Sequence, residues 1–173
     1  MGYGNAAGFK DLREVITSHL KSTRGVNCNP EQVIITNGTQ QSLDLIGRIL
    51  VDKNDKVWLE NPCYLGAKHT FSSLGAKSEY LPIDDEGLNF SKAKKQKEKP
   101  KLVYITPSHQ FPLGVTMSLQ RRLNLLEWAE KNEIWILEDD YNSEYRFSGR
   151  PIASLQGLDH SNRVIYMGTF SKT

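Results

Sequence analysis

The chain has 173 residues, enough to bury a real core and few enough for one domain. Its 24% charged and 38% apolar residues are ordinary for a soluble globular protein, and no apolar run is long enough for a membrane span or a signal peptide. Net charge is +2, but residues 91–101 (SKAKKQKEKPK) alone carry +5, leaving −3 for the remainder.

Such a lysine run can touch nucleic acid. Without interleaved aromatics or arginines it reads as a solvated loop or helix end, and nothing else in the chain suggests a DNA-binding surface. Cys28 and Cys63 form neither a metal spacing nor a disulfide framework, and read as reduced thiols of a cytoplasmic protein.

In chain order, Phe9, Leu12, Val15, Ile16 and Leu20 recur at helical spacing and predict a helix over 9–23 packed on one face. Residues 33–36 (VIIT) predict a short β-branched strand, ended by Asn37-Gly38. Leu43, Leu45, Ile46, Ile49 and Leu50 predict a helix over 39–51. Residues 56–59 (KVWL) predict a strand broken at Asn61-Pro62, followed by a weaker helix over 65–74 and a short strand around 79–81. Past the lysine run, 101–106 predicts a strand and 107–114 a loop. The clearest helix spans 118–132, with Ser118 as N-cap. Residues 134–137 and 163–167 complete the strands. This alternation predicts an α/β fold with a mostly parallel sheet flanked by helices, one domain or part of one.

The carboxyl ends of strands in an open parallel sheet share a rim where ligands bind. Thr36-Asn-Gly-Thr-Gln-Gln41 lies between a strand and a helix, where Gly38 allows close backbone approach and Thr39 and Gln40 add donors. It is either an anion site or an ordinary strand–helix junction. The acids of Glu138-Asp-Asp-Tyr141 can cap a helix, bind a metal or pair with a base; no further metal ligands are obvious. Lys172 follows Gly168-Thr-Phe-Ser171 at a strand end, beside hydroxyls (Thr169, Ser171) sized to bond a phosphate. Desolvation or nearby cations would free its amine to attack a carbonyl. Tyr64 can stack on a flat cofactor or pack in the core, and His109 can bond its own loop or serve a site. A lysine, a carboxylate and a tyrosine at one rim are the parts that hold an aldehyde cofactor as a Schiff base.

Five motifs in order carry a resemblance: Tyr3-Gly-Asn-Ala-Ala-Gly8 leading to Leu12-Arg13, Thr36–Gln41, Glu60-Asn-Pro-Cys-Tyr64, Glu138–Tyr141 and Ser171-Lys172. Together they resemble the fold type I family of pyridoxal-phosphate enzymes, the aspartate aminotransferase superfamily. The resemblance implies that Lys172 is the Schiff-base lysine and proton shuttle, Asp139 the partner of the pyridine nitrogen, and Tyr141 the partner of the ring's phenolic oxygen. It makes Asp140 structural, places the phosphate on Gly38, Thr39 and Gln40 with help from Thr169 and Ser171, and stacks Tyr64 on the ring. Tyr3 would reach the phosphate of a partner subunit, which implies a homodimer.

One position departs from that pattern. Where most of the family has Asn-Pro-x-Gly, with the asparagine on the phenolic oxygen, this chain has Phe111-Pro-Leu-Gly114. Ser108-His-Gln-Phe-Pro112 and the run from Glu138 to Arg146 are similar to the MocR-type transcriptional regulators of the GntR family, which join a winged helix to an aminotransferase-like domain. The expectation is therefore a cytoplasmic regulator's pyridoxal-phosphate domain. Residues 1–173 would form part of its large domain and respond to the cofactor or to a small amine or amino acid. The winged helix, through which DNA would be bound, and the C-terminal small domain with its carboxylate-gripping arginine would lie outside this chain. So would the strand that resemblance places between residues 33–36 and the strand before Lys172, and the piece by itself would be inactive. The alternatives are a fragment of a free-standing pyridoxal-phosphate-dependent amino-acid aminotransferase, or a non-catalytic α/β module.

Overall fold

Runs such as Val57-Trp58-Leu59 and Leu102-Val103-Tyr104-Ile105 have no polar alternation, the pattern of strands covered on both faces. In the computed structural model, which describes residues 4–142 and 153–171, all seven of these residues are fully buried. The strands are β1 (Lys56–Asn61), β2 (Lys77–Asp84), β3 (Gly87–Leu88), β4 (Leu102–Ile105), β5 (Trp135–Asp140) and β6 (Val164–Gly168). They form one sheet in the order β3-β2-β1-β4-β5-β6, parallel throughout except for the short β2–β3 hairpin. The helices are α1 (Lys10–Arg24), α2 (Thr39–Leu50), α3 (Leu65–Ser73), α4 (Leu119–Lys131) and α5 (Leu155–Leu158).

The chain leaves β1 toward β2 on one side and returns to build β4, β5 and β6 on the other. Parallel crossovers are right-handed, so this reversal sends helices to opposite faces. Leu43 of α2 and Ala67 and Phe71 of α3 pack with Val57, Leu59, Leu102, Tyr104, Leu137 and Met167. Leu125, Leu126 and Ala129 of α4 and Leu155 of α5 pack on the other face with Trp58, Val103, Ile105 and Ile136. Helix α4 starts as its sequence predicts, with the Ser118 hydroxyl accepting the Arg121 N–H at 3.2 Å. The strand order thus reverses between β1 and β4, the kind of switch point where open α/β sheets take ligands.

Two expectations need correction, and a third is extended. Residues 33–36 do not form a strand: Ile35 donates to Ala7 O at 2.9 Å, but the segment faces β6 across a cleft of about 690 Å³ and, among the described residues, pairs with no strand. Extended backbone becomes a strand only when another strand lies beside it. Helix α1 buries Arg13, Ile16, Thr17 and Arg24, while Phe9 and Val15 are 70% and 65% exposed. Polar bonds dock it: Arg13 Nη1 to Pro30 O, 3.3 Å, and Arg24 to groups on the sheet. The strand expected around 79–81 is longer and turns into β3, too short to read from sequence. The lysine run is surface structure, a 3₁₀ turn that buries Ala93 and lays Lys94 over Phe90 and Lys99 over Trp128.

Candidate functional site

Side chains alternate along β5, so its three terminal carboxylates diverge. Glu138 points to the α4 face, where its oxygens accept the Leu155 and Gln156 N–H groups, each at 3.0 Å. It also lies 3.9 Å from Arg122, both side chains being fully buried. Burial pushes its carboxyl up to about 7, against these donors. Glu138 therefore holds the N-terminus of α5, the helix-capping reading of the three left open by sequence. Asp140, on the same face, accepts from Arg24 Nε and from the Tyr166 hydroxyl on a single oxygen, each at 2.7 Å, and Arg24 Nη2 donates to Ser108 Oγ at 2.6 Å. This buried bridge ties α1 to β5, β6 and the loop after β4.

Asp139 points the other way, toward the α2 and α3 face, and is 4% exposed. The Tyr104 hydroxyl donates to its Oδ2 at 2.7 Å. Burial, then the neighbouring Asp139 charge, pushes the Tyr104 phenol well above the usual tyrosine range, so it stays a donor. Tyr141, two residues beyond Asp139, also rises through burial. Its ring meets Phe111 edge-on at 5.9 Å, Phe111 meets Tyr64 edge-on at 6.0 Å, and His109 meets Tyr141 at 6.1 Å. Phe111 thus stands between the two tyrosines that sequence assigned to a flat cofactor.

The carboxyl ends of β1 and β4 are fastened to each other. Glu60 Oε2 accepts from Thr106 N, Thr106 Oγ1 and Gln110 Nε2, at 3.2, 2.6 and 3.2 Å. Gln110 also donates to Pro62 O and Phe111 O. Its amide is spent inside the loop, so it does not replace the asparagine missing at Phe111. Burial pushes Glu60 up to about 7 despite these donors.

Beside the rim, α2 begins at Gly38 (φ 106°, ψ 174°) without any side-chain cap. That backbone suits glycine alone, and a Cβ there would meet nothing within 4 Å. Gln40 turns its amide to Thr70 Oγ1 at 2.5 Å, so the side-chain donor expected of it at the rim is engaged with α3 instead. Thr39 starts the helix. Thr169 and Ser171 form a local turn, Ser171 N to Thr169 Oγ1 at 3.2 Å, and share the cleft lining with Gly38 and Tyr141. Tyr3 and Lys172 lie outside the described residues.

Sequence reasoning missed Tyr104, the Glu60–Thr106–Gln110 knot and the Arg24–Asp140–Tyr166 bridge. Only Tyr104 carried a signal, as a phenol inside a wholly apolar strand. Among the described residues no helix is long and apolar enough to cross a membrane, and no three His, Cys, Asp or Glu side chains gather as a metal site.

The fold matches the crystal structure of Pyrococcus horikoshii kynurenine aminotransferase in complex with PMP, with a TM-score of 0.90 and 39% identity over 99% of this chain and 44% of that one. The architecture is thus part of the large domain of a fold type I transferase. The chain belongs to the aminotransferase class I and II family, whose sequence pattern matches residues 1–173. A probable rhizopine catabolism regulatory protein, MocR, of Rhizobium meliloti is 49% identical over 172 residues, 99% of this chain and 34% of its own length. Aromatic-amino-acid aminotransferase 1 of Thermococcus litoralis is 37% identical over 177 residues, 98% of this chain and 42% of its own length. The chain spans less than half the length of these curated relatives, and is an aminotransferase-like segment more similar to the regulator than to the enzyme.

Proposed function

We propose that this chain is the pyridoxal-phosphate-binding part of a MocR-type transcriptional regulator. Residues 1–173 then form part of its large domain, with a winged helix and a small domain elsewhere in the full-length protein. The observation that carries the cofactor is the rim itself. An uncapped helix N-terminus at Gly38 offers main-chain donors for a phosphate. Buried at the end of β5, Asp139 would meet a pyridinium nitrogen, Tyr141 after it would meet a phenolic oxygen, and Tyr64, across Phe111 from Tyr141, would face the ring. Bound pyridoxal phosphate supplies an aldehyde for a lysine amine and a ring that withdraws electrons from a bound amine. Lys172 would hold the aldehyde and Thr169 and Ser171 would add donors to the phosphate.

The identities, 49% to a regulator against 37% to an aminotransferase, support regulation over turnover. So does Phe111, which brings a hydrocarbon edge where a catalytic loop of the family brings an amide. The ligand sensed is a small amine or amino acid, the protein acts in the cytoplasm as a homodimer through Tyr3, and DNA is bound through the winged helix. The full-length protein tests this when titrated onto DNA from its own promoter with and without pyridoxal phosphate. A several-fold change in DNA affinity with negligible amino transfer is expected. Brisk transfer between an amino acid and a keto acid, with no DNA retention, would establish the free-standing enzyme instead.

A further inference from the structure

Tyr104 sits in the middle of β4, opposite Leu137 of β5, with its ring enclosed by Leu43, Val57, Leu59, Phe71 and Met167. Every other residue of that strand is aliphatic and completely buried. A phenylalanine would fill the same space, so the hydroxyl calls for its own explanation. It reaches out of the apolar cluster to Asp139 Oδ2 at 2.7 Å.

We infer that Tyr104 is a positioning residue of the cofactor site, fixing the plane of the Asp139 carboxylate and holding it as an acceptor, so that a proton shared with the ring nitrogen stays on the nitrogen. The inference rests on the cofactor reading above. A hydrogen bond donated to a carboxylate favours its charged form and weakens it as a base. Bonds of this charge-assisted kind are short and directional, as this one is. Desolvation pulls the other way, and so does any charge on the neighbouring Glu60 at the end of β1; Tyr141 after β5 and Cys63 beside Tyr104 are both pushed up by burial and add no charge of their own. Without the phenol, nothing described on β4 would offset them.

The test uses the full-length protein loaded with pyridoxal phosphate carrying ¹⁵N in its ring. The ¹⁵N resonance reports protonation of that nitrogen directly, whether or not the protein turns anything over. In the wild type it should hold its protonated position through neutral pH and lose it only at alkaline pH, which defines a midpoint. In Tyr104→Phe its midpoint should fall by about one pH unit and cofactor affinity by about tenfold. Tyr104→3-fluorotyrosine, a stronger donor of nearly the same shape, should move the midpoint upward and decides the matter if Tyr104→Phe fails to fold. An unchanged midpoint in whichever variants fold would overturn the inference, leaving Tyr104 a packing residue. A wild type that binds no cofactor, or Asp139→Asn that leaves the ¹⁵N signal unaltered, would instead overturn the site assignment on which the inference rests.

Discussion

Glu60 and Glu138 are buried carboxyls whose donors do not make good the loss of water, and both rise to about 7. A group whose folded pKa lies above its unfolded value binds its proton more tightly in the fold. Its contribution is complete below the ordinary carboxylate range and is lost as pH rises through about 7. Asp84 and Asp159, held low by their hydrogen bonds against burial, act oppositely and only in acid. The chain should therefore lose stability between about pH 5 and about pH 8, and Glu60→Gln should flatten that loss by on the order of 2 kcal/mol. The amide oxygen can still accept from Thr106 and Gln110. Urea denaturation at several pH values measures it; equal slopes in wild type and variant would contradict it. None of this was legible in Glu60 as a letter, because its partners lie 46 and 50 residues away.

At the scale of elements, local chemistry was legible and docking was not. Ser118 announces α4 because its hydroxyl competes for the first-turn amides, and the structure shows that bond. Residues 33–36 look like a strand because β-branched residues favour extended backbone, but pairing depends on what lies beside them. Helix α1 has an apolar stripe in sequence, yet it seats through arginines whose partners are distant. Helix α5 shows how tight such docking is. Its Gln156 exchanges two hydrogen bonds with Asn27, at 2.7 and 2.8 Å, and a Cβ on Gly157 would come within 2.2 Å of the Gly25 carbonyl. Gly157→Ala should lift α5 from the end of α1 and cost roughly 2–3 kcal/mol, read as a lower midpoint in thermal unfolding. An unchanged midpoint would mean that this contact relaxes freely.

For the whole molecule, the sequence pattern pointed to a parallel sheet and to the residues of its rim, because strand ends and motif order are both written along the chain. Strand order was not, since the reversal between β1 and β4 follows from crossover handedness and packing. Asp139 and Asp140 were told apart only by resemblance, and that Glu138 holds the N-terminus of α5 was not legible before the faces of β5 were known. The central claim is that this rim holds pyridoxal phosphate through Lys172. Full-length protein incubated with the cofactor, reduced with borohydride and digested should yield one dominant pyridoxylated peptide by mass spectrometry, carrying the label on Lys172. A label on other lysines at equal occupancy, or none at all, would contradict the account.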